Sequence, residues 1–319
     1  MASALQLAPR DIQCVISGSG YAAGTAVTRV QDVSIPLRHN TEDAREIGTT
    51  NFWTINGEPS VEATINRNLI GDLEVPQLLN GSFVSGSAIS DCVWDSTGDL
   101  IRKNIYMLGG DGTEIIWGAK DCFLTSASFA FDAGGLATES WAFEGQEMTD
   151  DTALANITES EFTGMVPASG YGGIRHDKIS VQLLGTSLSN AIKERITSVN
   201  ITATINRTAM FELFAVEDGG NFGPYARIVD LPFDVTASID LMPSENFDKI
   251  AAELGSWNSP KTLAESTAVL KVFVRRGDAV TTYEIPRVVR TEVTYNADVG
   301  TGGTFSLGLR GLDVKVYRV

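Results

Sequence analysis

One stretch of this chain occurs twice. FLTSASFAFDAGGLATESWAFEG runs from Phe123 to Gly145, and VRTEVTYNADVGTGGTFSLGLRG runs from Val289 to Gly311. A shift of 166 positions superposes them without a gap. Thr125 then meets Thr291, Asp132 meets Asp298, Gly134 meets Gly300, Ser140 meets Ser306 and Gly145 meets Gly311. The apolar positions follow: Phe129 meets Tyr295, Trp141 meets Leu307 and Phe143 meets Leu309. A long unit present twice is a duplicated domain; a solenoid needs short units in three or more copies.

Other landmarks extend the repeat. ATINR occupies Ala63–Arg67 and again Ala203–Arg207, an offset of 140. NIYMLGGDGTEIIWGAKDC (Asn104–Cys122) parallels VLKVFVRRGDAVTTYEIPRV (Val269–Val288), with Gly110-Asp111 and Gly277-Asp278 marking one turn. The difference between the two offsets, 166 less 140, predicts about 26 extra residues in the second copy between these landmarks. The polar segment Asp150–Pro167 reads as a linker. The expected division is a first domain over 1–150, a linker over 151–167 and a second domain over 168–319.

Both copies read as β-structure. VEATINR alternates Val61, Ala63 and Ile65 with Glu62, Thr64 and Asn66, and NITATINR repeats the pattern. Such alternation suits half-buried antiparallel strands with one packed face. DAGGLA and ADVGTGG are glycine-rich turns between strands. Helices are few. One is expected after Ser244, where Phe247, Ile250, Ala251 and Leu254 fall on one face and Gly255 stops the run. Ser187–Ile196 and Thr41–Ile47 are shorter candidates. The fold class is therefore all-β: two tandem sandwiches or barrels, each with a short flanking α-helix.

Charge and chemistry exclude several function classes. The net charge is −16. Residues 1–160 hold 8 Lys and Arg against 22 Asp and Glu, and residues 161–319 hold 16 against 18, so −14 and −2 make up the total. Binding nucleic acid by phosphate neutralisation needs clustered cations, which are missing here. The opening MASALQLAPRD has no basic segment leading into an apolar one, so no secretory signal is expected. No apolar run suggests a membrane span. Cys14, Cys92 and Cys122 are an odd number at wide spacing and read as reduced thiols. His39 and His176 stand in polar surroundings, and no nucleophile–base pair can be nominated. No enzyme activity, cofactor or metal is expected. GSGYAAG (Gly18–Gly24) lacks the dinucleotide spacing and a Walker lysine, and reads as a loop.

The hairpin Phe123–Gly145 resembles the C-terminal strand pair of phage tail tube proteins. There an apolar strand starts near a Thr-Ser pair, reaches a glycine-containing turn, and returns as a Thr/Ser-rich aromatic strand ending in Gly. VTRVQDVSIPLRHNTEDAREIGTTNFW is similar to the start of such a domain. The resemblance covers most of residues 25–148 and, more loosely, 174–319. It implies subunits joined edge to edge into rings, with inner strands forming a barrel around a channel and rings stacked into a tube for genome delivery. A duplicated member implies a homotrimeric ring with pseudo-sixfold symmetry, a hexamer being the alternative. It further implies a virion location after synthesis in a host bacterial cytoplasm, no membrane, and tail partners such as a tape measure, a terminator and a baseplate or tip. Viral DNA would pass through without specific binding.

On this reading Glu62, Thr64, Glu139 and Glu144 are candidates for the lumen or an interface, where carboxylates repel DNA phosphates. Arg275 and Arg276, in VRRGD, are candidates for meeting an acidic neighbour. Two alternatives stand beside this. One is another virion β protein, such as a neck terminator or decoration protein. The other is a two-module ligand-binding protein using aromatics such as Trp53, Trp94 and Trp257.

Overall fold

A computed structural model describes residues 13–18, 25–27, 29–45, 52–69, 75, 79, 92–93, 103–109, 114–145, 147–149, 173–184, 196–210, 226–230, 234–242, 254–256, 258–298 and 302–318. The first half contributes β1 (Gln13–Gly18), β2 (Thr25–Ala26), β3 (Val30–Ser34), β4 (Leu37–Arg45), β5 (Phe52–Asn68), β6 (Cys92–Val93), β7 (Lys103–Gly109), β8 (Glu114–Asp132), β9 (Thr138–Gly145) and β10 (Glu147–Thr149). The second contributes β11 (Ile179–Leu184), β12 (Ile196–Thr204), β13 (Arg207–Met210), β14 (Ala226–Val229), β15 (Asp234–Leu241), β16 (Gly255–Ser256), β17 (Ser259–Pro260), β18 (Val269–Arg276), β19 (Ala279–Ile285), β20 (Val289–Asp298), β21 (Gly302–Gly311) and β22 (Lys315–Arg318). The described elements are strands apart from a 3-10 turn at His176–Lys178 and isolated helical residues Val75, Leu79 and Leu254, so the fold is all-β.

The flanking helices are only partly addressed. Thr41–Arg45 is strand, paired with β5, which corrects the helix expected over Thr41–Ile47. Here TEDAR is held by a long partner strand, and tertiary pairing overrides a local helical pattern. Residues 187–195 and 243–253 lie outside the described residues; Leu254, at the end of the latter, is buried.

The duplication runs through the strand pairing. One sheet takes the order β3-β5-β9-β8-β12-β15-β21-β20. Its first four strands repeat as its last four. Val33 pairs Ile65 as Val199 pairs Ile239; Ile65 pairs Trp141 as Ile239 pairs Leu307. Even the irregularities recur. Gln31 and Thr197 are bulged out of register at matching positions, as are Thr125 and Thr291. A bulge adds one residue to one strand and sharpens its twist, so it repeats only where the whole strand does. Asp121 and Arg287, again 166 apart, both carry positive φ, 51° and 54°. There β8 bends out of one layer into the next, and β19 passes to β20.

This pairing corrects the ATINR landmark. The partner of β9 is β5, and the partner of its counterpart β21 is β15, Asp234–Leu241. The true match to VEATIN is therefore VTASID, Val235–Asp240, at an offset of 174. The second ATINR lies in β12 and beyond, and β12 is the counterpart of β3. The 26 extra residues disappear. The second copy gains eight before β15 (174 less 166) and loses the same eight after it.

The second layer is also duplicated. β1-β7-β8-β10 covers the first copy, and β11-β18-β19-β22 covers the second. β6, from the first half, adds to the edge of β22. Between the layers lies the core. Phe129 meets Trp141 edge to face at 5.4 Å and Tyr283 of β19 at 4.8 Å, so the second copy's outer layer helps roof the first copy's last inner strand. Aromatic pairs at these separations favour tilted and edge-on geometry.

Candidate assembly interface

The seam between β8 and β12 joins the copies. Ser198 pairs Asp132, Asn200 pairs Ala130 and Thr202 pairs Ser128 on one face; Val199 pairs Phe131, Ile201 pairs Phe129 and Ala203 pairs Ala127 on the other. The apolar set is buried. At the seam's ends the Ala133 amide donates to the Thr197 carbonyl at 2.9 Å, and the Ile205 amide donates to the Thr125 carbonyl at 2.7 Å. Arg207 extends the junction: its Nε donates to the Leu124 carbonyl at 3.3 Å and its guanidinium lies 5.0 Å from the Phe123 ring centroid.

Because the sheet is two copies of one strand set, its outer edges are the two halves of that same seam. β20 is the counterpart of β8, and β3 the counterpart of β12. Among the described residues β20 pairs only with β21, and β3 only with β5. The exposures follow. Phe129 is 1% exposed inside the seam, while its counterpart Tyr295 is 55% exposed. Ala203 is 1% exposed, and its counterpart Leu37 is 37% exposed. Tyr283 roofs the internal seam at 1%, whereas its counterpart Trp117 is 39% exposed. Trp117 Nε1 donates to the Ile35 carbonyl at 2.8 Å, so it stands over the β3 edge.

The face of the shared sheet away from the second layer is polar. Glu62, Thr64 and Asn66 on β5, Ser140 and Glu144 on β9, and Ser126 and Ser128 on β8 lie half-buried there. Thr202, Thr204 and Ser238 continue it into the second copy. Most are small hydroxyl or amide residues.

The candidate residues separate on this frame. Glu62, Thr64 and Glu144 share the polar face, and Glu62 stands directly opposite Glu144. Glu62 also pairs with Arg38 at 3.3 Å, with both side chains substantially exposed. Glu139 does not belong with them. It is buried on the core face and forms an ion pair with buried Arg67. The signal was present in the sequence, because Glu139, Trp141 and Phe143 share one parity along the strand. Arg275 and Arg276 close the β18–β19 hairpin in the outer layer, away from the polar face. Arg310 is the residue that sequence reasoning missed. It occupies the polar-face position equivalent to Glu144 and binds Asp234 at 3.1 Å. His176 is exposed in the 3-10 turn. Trp94 and Trp257 lie outside the described residues, as does the side chain of Trp53. No helix among the described residues is long and apolar enough to cross a membrane.

No protein-family model matches the chain, and no curated protein does. Among solved structures it is similar to the anti-feeding prophage cap, titled the AFP tube terminating cap, with a TM-score of 0.32 and 15% identity over 47% of this chain and 93% of that one.

Proposed function

We propose that the chain is a structural subunit of a phage tail that assembles with copies of itself into rings, which stack as a tail tube. The observation that carries this reading is that the shared sheet ends, on both sides, in the two halves of its own internal seam. Such edges are heterologous: one protomer's β20 accepts the next protomer's β3, which leaves another β20 open. Head-to-tail addition either closes into a ring or runs on as a filament. Closure also removes sheet edges, which otherwise template aggregation. Two copies per chain let three chains supply six positions.

The polar face then lines the channel. Small hydroxyl side chains carry no positive charge to anchor phosphates, and the opposed Glu62 and Glu144 add negative charge that repels them. Arg310 and its partner Asp234 break a simple sixfold acid ring into alternating positions. Electron microscopy of the purified protein with rotational averaging tests the reading. Stacked rings of three chains with six similar lobes support it. A protein that stays a monomer at high concentration contradicts it.

A further inference from the structure

The junction between the two copies also specifies the junction between two chains; this step rests on the self-assembly reading above. We infer that β20 of one protomer adds to β3 of the next in the register of the β8–β12 seam, with Tyr295 opposite Ile35 and beneath Trp117 of that next protomer. The register follows from moving each strand of the seam by the 166-residue repeat. Ile201 opposite Phe129 becomes Ile35 opposite Tyr295, and Asn200 opposite Ala130 becomes Ser34 opposite Asn296.

The chemistry of both edges fits this register. In the internal seam the bonds at Thr197–Ala133 and Ile205–Thr125 fix which pairs exchange backbone hydrogen bonds, and Ile201–Phe129 falls among them. Ile35 and Tyr295 inherit that pattern, so the apolar side chains meet on the core face. Pro36 follows Ile35, and a proline on an edge usually blocks pairing. Here the Pro36 carbonyl accepts from the Glu62 amide at 3.2 Å, so this residue's backbone groups point inward to β5 and its missing N–H falls on that side. Ile35, one residue back, points its carbonyl outward, where Trp117 already holds it. A carbonyl has two lone pairs, and the second is left for the Tyr295 amide. Tyr283 against Phe129, at 4.8 Å, is the internal precedent for Trp117 against Tyr295. Tyr295 and Trp117, both exposed in the single chain, thus cover each other. Further along, Arg38, which pairs with Glu62 of its own chain at 3.3 Å, also falls opposite Glu292 of the neighbour, an opposite-charge cross-strand pair. Asp32 falls opposite Asp298 at the other end, the one like-charge pair in the register.

Cysteine cross-linking reads the register directly. Ser34 and Asn296 form a non-hydrogen-bonded pair, whose Cβ atoms sit about 4.5–5.5 Å apart, near the span of a disulfide. The full-length Ser34→Cys/Asn296→Cys protein, oxidised after assembly, is expected to give intermolecular disulfides. Ser34→Cys/Tyr295→Cys, with side chains on opposite faces, is expected to give none, and the single-cysteine variants control for Cys92. Where the wild-type chain forms rings but the variants cross-link only through a shifted pair such as Ser34→Cys/Thr294→Cys, or through neither pair, the register is overturned and self-assembly stands. A wild-type chain that never forms rings overturns both. A second test does not depend on disulfide geometry. Arg38→Glu is expected to raise the subunit concentration for half-assembly roughly fivefold to tenfold, and adding Glu292→Arg to restore it. A double variant as poor as Arg38→Glu alone contradicts the pairing.

Discussion

Arg67 and Glu139 stand directly opposite one another on β5 and β9 and form an ion pair sealed inside the first sandwich, where the second has Leu241 opposite Phe305. The duplication has therefore tried two solutions at one structural position. Desolvating two charges costs several kcal/mol, and their attraction recovers this only with good geometry. Removing one partner leaves a buried charge without its counter-ion. Arg67→Leu is expected to destabilise the chain by about 3–5 kcal/mol in denaturant unfolding. Arg67→Leu/Glu139→Phe, which copies the second sandwich, is expected to recover most of that loss. A double variant as unstable as the single would mean that the two pockets are shaped differently.

Gly145 and Gly311 end matching strands because another strand bends across each. A Cβ on Gly311 would lie 2.3 Å from Ile285 Cγ2; on Gly145 it would lie 3.1 Å from Cys122 Sγ and 3.2 Å from the Lys120 carbonyl. The first copy has Ala119 where the second has Ile285, which relaxes that approach. Gly311→Ala is expected to cost about 1–3 kcal/mol through overpacking. Combined with Ile285→Ala it should cost less than the sum of the two single changes. A double-mutant cycle measures this coupling, and strict additivity would refute the contact.

Cys14 and Cys122 are buried, and burial pushes the Cys14 thiol up to about 12 and the Cys122 thiol still further above its ordinary range. Only the thiolate is nucleophilic. Both are expected to resist alkylation at neutral pH in the folded protein and to react once it is unfolded, as mass spectrometry of iodoacetamide-treated samples would show. Rapid labelling of either without denaturant would contradict the burial.

Glu284 lies across from Lys271 at 2.7 Å and accepts from the Tyr317 hydroxyl at 2.8 Å. Burial raises its pKa, but the hydrogen bonds from Lys271 and Tyr317 outweigh that and leave it below the ordinary value. A group depressed on folding stabilises above its unfolded pKa and loses that contribution as pH falls through its folded one. Stability is expected to decline as the pH drops below the ordinary glutamate value of 4.5. Glu284→Gln should flatten this acid limb in thermal melts taken across pH, and an unchanged limb would assign the decline to other carboxylates.

How much of this was legible in the sequence depended on which residues carry the constraint. The hairpin repeat was legible because its markers, Thr125, Asp132 and Gly145 with their counterparts, are bulge, turn and close-approach residues that few others can replace. The ATINR word misled because alternating strands are built from a small alphabet, and a short word recurs by composition. The true match, VTASID, keeps the alternation of VEATIN but shares with it only Val, Ala and Ile, the three core-facing positions. The seam of β8 with β12 left no local trace at all. It is a long-range pairing, visible only once both copies are placed, and so was the exposure of Tyr295.

The central claim is that the two ends of the shared sheet belong together across chains. The mass of the assembled particle, measured by native mass spectrometry, tests it most directly. The expected particle holds three chain masses, or a multiple of three where rings stack, and each ring dissociates to single chains without stable open intermediates. A single chain mass at every concentration, or particles whose chain number is not a multiple of three, would contradict it.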